Sequence, residues 1–285
     1  MTILVTGATG STGSELVRRL LARGAPVRAM VRDTASYTAA PAVGANFDDA
    51  AAVAEALRGV ERAYLVTPSS ERAQDQQIRF AEAAAAAGVE QLVVLSQYAS
   101  VEDSPVRFLR YHAAVERRVR ELGIGYTFLR PNLFFQGLLA MADSIRATGT
   151  LFAPIGEARV SAVDVRDIAE VAAVTLTEPG HLGQSYEITG PAAVTHAEIA
   201  RALSAATGRE IGFVDVPPAA FADAVRGVLP DWQVDGLLED YAHYARGEAA
   251  QVSSTVADLT GRPALDVASF ARDYAGAFGG DGSRP

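Results

Sequence analysis

MTILVTGATGSTG, at residues 1–13, joins a short apolar run to a glycine-rich segment. The run at 1–6 is rich in β-branched residues, which predicts a buried strand. Glycines at positions 7, 10 and 13 follow it, and residues 15–23 carry apolar side chains on one helical face until Gly24. The segment therefore predicts a strand, a glycine loop and a helix in immediate succession.

The glycine loop predicts a binding site for a pyrophosphate. Glycine allows a tight turn with positive φ and lets a ligand approach the backbone closely. A helix N-terminus offers unpaired N–H groups to a phosphate, and Thr12 and Glu15 have the spacing of a capping box at this helix start. A second strand predicted at 27–31 completes the βαβ frame in which such a loop binds a dinucleotide.

The residue after the second strand distinguishes the two dinucleotides. Arg32 lies about 20 residues beyond the glycines, where an Asp or Glu holds the ribose 2′-OH of NAD and an Arg accommodates the 2′-phosphate of NADP. The neighbouring Asp33 leaves NAD open, but a guanidinium is always charged and matches a phosphate with two hydrogen bonds. We therefore predict NADPH as the cofactor, with Arg32 on its 2′-phosphate.

The composition excludes several other functions. The 285 residues are 49% hydrophobic and carry a formal net charge of −9, which predicts a globular protein without affinity for nucleic acid or anionic membranes. Cysteine is absent, so disulfides and thiolate catalysis are excluded, and all 25 basic residues are arginine, so no Schiff-base lysine exists. The sequence has no leader-like or membrane-spanning run, and we expect a cytoplasmic location.

The rest of the chain predicts an α/β fold, with a Rossmann doubly wound parallel sheet and a smaller C-terminal α+β lid domain. Apolar strand-like runs alternate with helical segments in the first half, which is typical of a parallel sheet covered on both faces. We predict the Rossmann domain at 1–150, with a return strand near 185–190, and the lid at 151–285. Residues 219–278 predict two or three helices, and the tail at 279–285 is predicted to be disordered.

Two further loops follow predicted strands at the edge where such a sheet binds ligands. Thr67 and Pro68 end one strand, and we expect them to line the cofactor cleft. Phe47 and Asp48 precede a helix. They either flank the adenine or serve as a core side chain and a helix start.

Several segments together resemble the NmrA-like branch of the atypical short-chain dehydrogenase/reductase superfamily, which includes type 2 NADPH-dependent quinone reductases and triphenylmethane-dye reductases. The likeness spans nearly the whole chain. The matching segments are TGATGSTG at 6–13, MVRD at 30–33, YLVTP at 64–68, VVLSQ at 93–97, YTFLRPNLFFQ at 126–136, DVRDIAEVAA at 164–173, YEITGP at 186–191 and LTGRP at 259–263.

The resemblance implies a Rossmann domain that binds NADPH, with Asn132 and Phe135 near the nicotinamide. The Tyr-x-x-x-Lys pair used in much of the superfamily is missing, because the position that matches its lysine is His112 and the residue four earlier is Phe108. The residues expected around the pyrophosphate are Gly7, Thr9, Gly10, Ser11, Thr12 and Gly13.

Three residues are candidates for catalysis in place of that pair. His112 contacts the nicotinamide ribose, or donates a proton to the reduced substrate, or is a surface or supporting histidine paired with Glu116. Glu116, four residues on, is expected to orient the imidazole and favour its charged form. Tyr98 and Ser96 follow a predicted strand, where either hydroxyl would donate to an oxyanion. Ser96 is also a cofactor-site candidate, and Tyr98 has packing under the lid as its alternative role.

A flat aromatic or quinone-like substrate would need an apolar wall. Phe134, Phe135, Met141 and Trp232 either form that wall or pack in the core. The histidines show no metal-ligand spacing, so no metal is expected. A homodimer is compatible with the sequence, but no motif specifies one.

We predict hydride transfer from NADPH to an electron-poor acceptor such as a quinone or a conjugated carbonyl. Such acceptors need only a weak proton donor, which agrees with the missing Tyr-x-x-x-Lys pair. A regulatory protein that senses NADP(H) is the main alternative, since it needs no proton donor either. A ketone or enone reductase with Tyr98 or His112 as the donor is a third interpretation.

Overall fold

The protein is built on a seven-stranded parallel sheet, as its computed structural model shows for residues 1–279, the part of the chain that the structure describes. The strands are β1 (Ile3–Val5), β2 (Val27–Val31), β3 (Ala42–Gly44), β4 (Arg62–Leu65), β5 (Gln91–Leu95), β6 (Gly125–Pro131), β7 (Thr150–Ala153), β8 (Gln184–Ile188) and β9 (Gly212–Asp215). The order across the main sheet is β3-β2-β1-β4-β5-β6-β8, with every pair parallel. The chain thus winds from β1 to one edge and then builds the other edge.

The described residues form eleven α-helices, some on the two faces of this sheet and the others beside it. They are α1 (Ser11–Ala22), α2 (Ala50–Ala56), α3 (Ala73–Ala86), α4 (Arg107–Glu121), α5 (Ala142–Thr148), α6 (Val165–Thr177), α7 (His196–Thr207), α8 (Pro218–Val225), α9 (Asp231–Ala245), α10 (Thr255–Thr260) and α11 (Val267–Asp273). α1 and α6 bury one apolar cluster against the sheet, and α2, α3 and α4 bury a second cluster on the opposite face. The predicted doubly wound α/β fold is confirmed.

The second half of the chain contributes to both parts of the structure. β7 and β9 form a small parallel pair, and α5, α7, α8, α9 and α11 bury two apolar clusters of their own around it. α6 and β8, in contrast, belong to the layers of the main sheet. The division at residue 150 stays a prediction.

The C-terminal part contains more helices than the sequence predicts. The prediction of two or three helices after residue 219 was wrong, because α8 to α11 are four separate α-helices. The cause is a left-handed Gly261, which ends α10 before α11 begins. Apart from Gly279, the predicted disordered tail lies outside the described residues.

Candidate functional site

The carboxyl ends of the parallel strands meet at one edge of the sheet, and the loops that leave them carry the predicted site residues. The loop after β1 is the glycine loop. Gly7 has φ +58°, and a Cβ on Gly7 would lie 2.5 Å from Cγ1 of Val66. A Cβ on Gly13 would lie 2.2 Å from the carbonyl oxygen of Gly7. A side chain at either position would therefore collide with neighbouring atoms, and the two glycines allow the loop and the start of α1 to pack closely.

The start of α1 is free to bind an anion. Its N-cap is Gly10, and no side chain caps the helix. The predicted capping box of Thr12 and Glu15 was wrong, because Thr12 is buried and the Glu15 carboxylate binds Arg18 and Arg19 instead. Thr9, Gly10 and Ser11 are exposed at the tip of the loop. In the described chain, no side-chain acceptor therefore competes for the N–H groups of the first turn.

Arg32 follows β2 directly and its side chain is exposed. The neighbouring Asp33 carboxylate accepts the backbone N–H of Ala35 at 2.9 Å. This hydrogen bond is the main cause that lowers the pKa of Asp33, and it holds the carboxylate in the local turn. The geometry favours Arg32 over Asp33 as the group that meets the ribose, and the assignment stays a prediction.

The residues predicted beside the adenine have partners of their own. Phe47 is half-buried and packs edge-to-face on Phe80, with ring centroids 5.8 Å apart. The Asp48 carboxylate accepts hydrogen bonds from Arg72 and from Gln76. Phe47 thus belongs partly to the core, and Asp48 joins the loop after β3 to the start of α3.

A cavity of about 270 Å³ lies where β4, β5 and β6 end. α4 forms one wall and α9, from the second half of the chain, forms another. The residues that line it are Val66, Thr67, Ser69, Gln77, Leu95, Ser96, Gln97, Phe108, Tyr111, His112, Pro131, Asn132, Leu133, Phe134, Asp240 and Tyr244.

The loop after β4 contributes one of its two predicted residues to this cavity. Thr67 lines it, and its hydroxyl accepts a hydrogen bond from Nε2 of Gln77 at 2.9 Å. Pro68 is exposed and is not among the lining residues.

Ser96 lines the cavity, but its hydroxyl is already in use. Ser96 Oγ donates to Oε1 of Glu116 at 2.6 Å, and Glu116 is buried and also bound by Arg130. This hydrogen bond occupies the Ser96 proton, so donation to an oxyanion would require the bond to Glu116 to break and stays a prediction. A role as a cofactor-site residue stays a prediction.

His112 lines the cavity as well, beside Tyr111, whose ring centroid lies 4.0 Å from that of the imidazole. The prediction that Glu116 favours a charged His112 was wrong: Glu116 binds other residues, and Nδ1 of His112 is buried without a partner. Burial lowers the pKa of His112 to about 3. The imidazole is therefore neutral at physiological pH.

This protonation state makes a testable prediction for His112→Gln. Glutamine keeps an N–H donor but does not titrate, so we expect the shape of the profile of kcat/KM against pH to be unchanged between about pH 5 and 8. The measurement is turnover of an acceptor across that range in the wild type and the variant. A limb of the profile that disappears in His112→Gln would contradict the neutral imidazole.

Tyr98 does not reach the cavity. It is 7% exposed, lies outside the lining, and its backbone N–H donates to the carbonyl of Pro131. Burial and the neighbouring Glu187 raise the pKa of its hydroxyl. The packing alternative for Tyr98 agrees with the structure, and its role as a proton donor stays a prediction.

The loop after β6 fixes the sheet to the second half of the chain. Asn132 is buried, and its Nδ2 donates to Oγ of Ser161 and to the carbonyl of Ala249, each at 2.9 Å. The Phe135 ring is buried on Phe270, with centroids 5.4 Å apart, and does not line the cavity, so its place near the nicotinamide stays a prediction.

Of the predicted apolar wall, only Phe134 lines the cavity. Phe135 and Met141 belong to the apolar cluster around α5 and α7. Trp232 packs on Phe108, with ring centroids 5.2 Å apart, outside the lining.

Sequence reasoning missed six polar residues of the cavity: Ser69, Gln77, Gln97, Tyr111, Asp240 and Tyr244. Asp240 and Tyr244 lie on α9 with Trp232 and Gly236, at a spacing of four residues that places all four on one helical face. The available signal was a carboxylate on a helical face that otherwise carries two aromatic residues and a glycine. Its partner surface on α4 was not identifiable from the sequence.

The described residues, 1–279, contain no group of three or more His, Asp or Glu side chains placed to hold a metal ion. None of their helices is long and apolar enough to cross a membrane.

Comparisons with known proteins agree with this architecture. The model of the NmrA-like family matches residues 1–258. The chain is 38% identical over 283 residues to the NAD(P)H azoreductase of Xenophilus azovorans, covering 97% of this chain and 99% of that protein. It is 38% identical over 281 residues to the (4-alkanoyl-5-oxo-2,5-dihydrofuran-3-yl)methyl phosphate reductase of Streptomyces griseus, with 97% and 99% covered.

Among solved structures, the chain is similar to the NADPH complex of the NADPH-dependent quinone oxidoreductase QOR2 of Escherichia coli. The TM-score is 0.86 at 28% identity, covering 95% of this chain and 99% of that chain. The sequence and structure matches both extend over nearly the full length, so the likeness is not confined to the glycine loop. The chain belongs to the NmrA-like family.

Proposed function

We propose that this NADPH-dependent reductase transfers hydride to an uncharged, electron-poor acceptor such as a quinone or another conjugated aromatic compound. The observation that supports this acceptor class is the lining of the 270 Å³ cavity: its accessible surface is mostly apolar, although ten of the sixteen lining residues carry a polar group. Apolar walls with few convergent polar groups are typical of small-molecule sites.

The residues at the strand ends fit NADPH. The loop at Gly7 and Gly13 has no room for a Cβ, as expected where the backbone approaches a ligand closely. The uncapped start of α1 offers N–H groups to the pyrophosphate. The exposed guanidinium of Arg32 would hold the 2′-phosphate. When bound, NADPH supplies the hydride.

The cavity itself would bind and orient the acceptor. Phe108, Phe134 and Tyr111 present ring faces and edges against which a flat conjugated molecule would pack. Helix α9 contributes Asp240 and Tyr244 to the other wall of the cavity. Orientation of the acceptor would supply much of the rate for an acceptor that is already electrophilic.

Among the described residues, the cavity lining has no basic side chain, which bears on whether the acceptor resembles the substrate of one named relative or the other. No arginine is among the residues that line the cavity within the described chain, and the sequence has no lysine. A phosphate ester such as the substrate of the Streptomyces griseus relative would meet no charge-assisted donor there, and Asp240 would disfavour an anion when ionised. A neutral quinone or azo compound meets neither problem.

The test is oxidation of NADPH by the purified protein with matched acceptors. We expect turnover of a neutral quinone or azo dye with NADPH and much slower turnover with NADH. A phosphorylated conjugated lactone is expected to react at least about tenfold more slowly than its unphosphorylated alcohol, since one lost charge-assisted contact costs about 1.5 kcal/mol or more. Preference for the phosphate ester would contradict the proposed acceptor class.

Tight binding of NADPH with no turnover of any acceptor would instead favour the NADP(H)-sensing alternative. A cytoplasmic location, a lack of nucleic-acid and membrane partners, and a homodimer stay predictions.

A further inference from the structure

Helix α9 presents a stripe of four residues to α4 and to the end of β5. Gly236 permits close contact, because a Cβ there would lie 2.2 Å from Cζ of Phe108. Trp232 extends the contact with its ring centroid 5.2 Å from that of Phe108. Asp240, one turn further on, is thereby placed over the cavity with only 5% of its surface exposed.

The carboxyl group of Asp240 contacts an amide and a hydroxyl group and no basic side chain of residues 1–279. Nε2 of Gln97 lies 3.2 Å from Oδ1 and 3.3 Å from Oδ2. Tyr244 is within hydrogen-bonding reach from the same helix. Arg107 on α4 is bound to Glu239, with Nη2 2.9 Å from Oε1, so its charge is directed at that residue. Asp240 is thus a buried acid without a basic partner.

We propose that Asp240 is the proton donor of the reductase, a catalytic residue that protonates the acceptor once hydride has been transferred. This inference rests on the proposed function, because it needs an acceptor in the cavity. It replaces the Tyr-x-x-x-Lys pair with a carboxylic acid supplied by the lid.

The other polar groups of the cavity are poorer donors. Burial raises the pKa of the hydroxyls of Tyr111 and Tyr244, so they hold their protons more tightly than usual. His112 is neutral, and a neutral imidazole N–H is a weak acid. Ser96 donates to Glu116. Asp240 remains as the group whose proton is released near neutral pH.

The surroundings of Asp240 explain that acidity. Burial raises the pKa of its carboxyl group to about 7, and the negative charge of Glu239 acts in the same direction. The hydrogen bonds from Gln97 and Tyr244 oppose the shift. Tyr111 on α4 and Tyr241 on α9 lie close to the Asp240 carboxyl group, and His112 lines the same cavity; all three are uncharged at neutral pH. A general acid is most effective when its pKa lies close to the working pH.

The reaction step balances without a further reactant. Hydride from NADPH brings two electrons and one hydrogen to the acceptor, which leaves an anion on its oxygen or nitrogen. The O–H bond of the Asp240 carboxyl breaks, and a new O–H or N–H bond forms on the acceptor. The resulting carboxylate is held by Gln97 and takes a proton from solvent before the next turnover.

The decisive variant is Asp240→Asn, measured with two neutral acceptors and saturating NADPH. A conjugated ketone gives a strongly basic anion, so we expect kcat to fall about 100- to 10,000-fold. A quinone gives a stable anion that depends little on a proton donor. The fold-decrease in its kcat is therefore expected to be at least about tenfold smaller than that for the ketone. The loss of wild-type kcat as pH rises through about 7 should vanish in the variant.

Two further variants control for structural damage. Asp240→Glu keeps a carboxylic acid and is expected to recover part of the rate and the pH limb. Asp235→Asn changes an exposed acid on the same helix and is expected to leave kcat and the pH profile unchanged. Affinity for NADPH should stay the same in all three. Equal losses in Asp240→Glu and Asp240→Asn, with weakened NADPH binding, would overturn the donor role in favour of a structural one.

A titration that needs no turnover tests the proton itself. The folded pKa lies above the ordinary value of 3.8, so the unfolded chain releases this proton first and the wild type loses stability as pH rises from about 4 to about 7. The Tm of Asp240→Asn minus that of the wild type should therefore increase over this range. A constant difference would overturn the proposal.

The outcomes separate the two proposals. Wild-type turnover with an unchanged pH limb in Asp240→Asn would overturn the donor assignment and leave the reductase in place. Failure of the wild type to reduce any acceptor would overturn the proposed function and the transfer step together, even if the titration places a proton on Asp240.

Discussion

NADPH is expected to bind on the order of 100-fold more weakly to an Arg32→Glu variant, whereas NADH should bind about as before. A charge-assisted hydrogen bond is worth about 1.5–3 kcal/mol, which corresponds to roughly 10- to 150-fold in affinity. Glutamate also repels the 2′-phosphate, which places the effect toward the upper end. NADH has no phosphate at that position, so the loss is selective. The measurement is titration of each reduced dinucleotide by its fluorescence.

Arg58→Glu is a matched control for the change in net charge. Arg58 is exposed, with 77% of its side chain accessible, and it follows α2 where the chain returns to the start of β4, at the opposite edge of the sheet. The ratio of NADPH to NADH affinity should be unchanged in this variant. Equal weakening of both dinucleotides by Arg32→Glu would show that Arg32 does not contact the 2′-phosphate.

The sequence was sufficient for those features of the fold that depend on local pattern. The glycine loop, the alternation of apolar strands with helices, and the return strand before Gly190 each follow from short-range chemistry: glycine where a Cβ does not fit, and continuous apolar runs where a strand is covered on both faces. Arg32 belongs to the same class, because its place depends only on the end of β2.

The errors occurred where a side-chain direction depends on distant parts of the chain. A spacing of four places His112 and Glu116 on one side of α4, but Glu116 faces Arg130 on β6 and His112 faces the cavity. Phe134 and Phe135 differ by one position, and the contact with Phe270 decides which of them is buried. Asp240 acquires a role only once α9 packs on α4.

Glu116→Ala is expected to lower the free energy of unfolding by about 3–5 kcal/mol, a large fraction of the total stability of about 5–15 kcal/mol for a typical domain. Glu116 is 1% exposed and accepts hydrogen bonds from Ser96 at 2.6 Å, from Nε of Arg130 at 2.8 Å and from Nη2 of Arg120 at 3.0 Å. Removal of the carboxylate takes the ion-pair partner from the Arg130 guanidinium, which is 21% exposed, and leaves only the weaker attraction of Glu187. The measurement is equilibrium unfolding in urea.

Glu121→Ala on the same helix is the matched control. Glu121 also pairs with two arginines, Arg117 and Arg118, but half of its side chain is exposed. Exposed ion pairs contribute about 0–1 kcal/mol, so this variant should lose little stability. A similar loss in both variants would show that burial of the Glu116 cluster is not the source of its stability.

The double variant Glu116→Leu with Arg130→Met identifies the origin of the loss. If an unpaired buried charge causes it, replacing both partners with apolar side chains should restore most of the stability, since a buried ion pair and an apolar pair of similar volume are often equally stable. Ser96 would still lose its acceptor in the double variant. A fall in kcat that persists after stability is restored would therefore show that the cluster also orients the loop after β5, on which Gln97 holds Asp240.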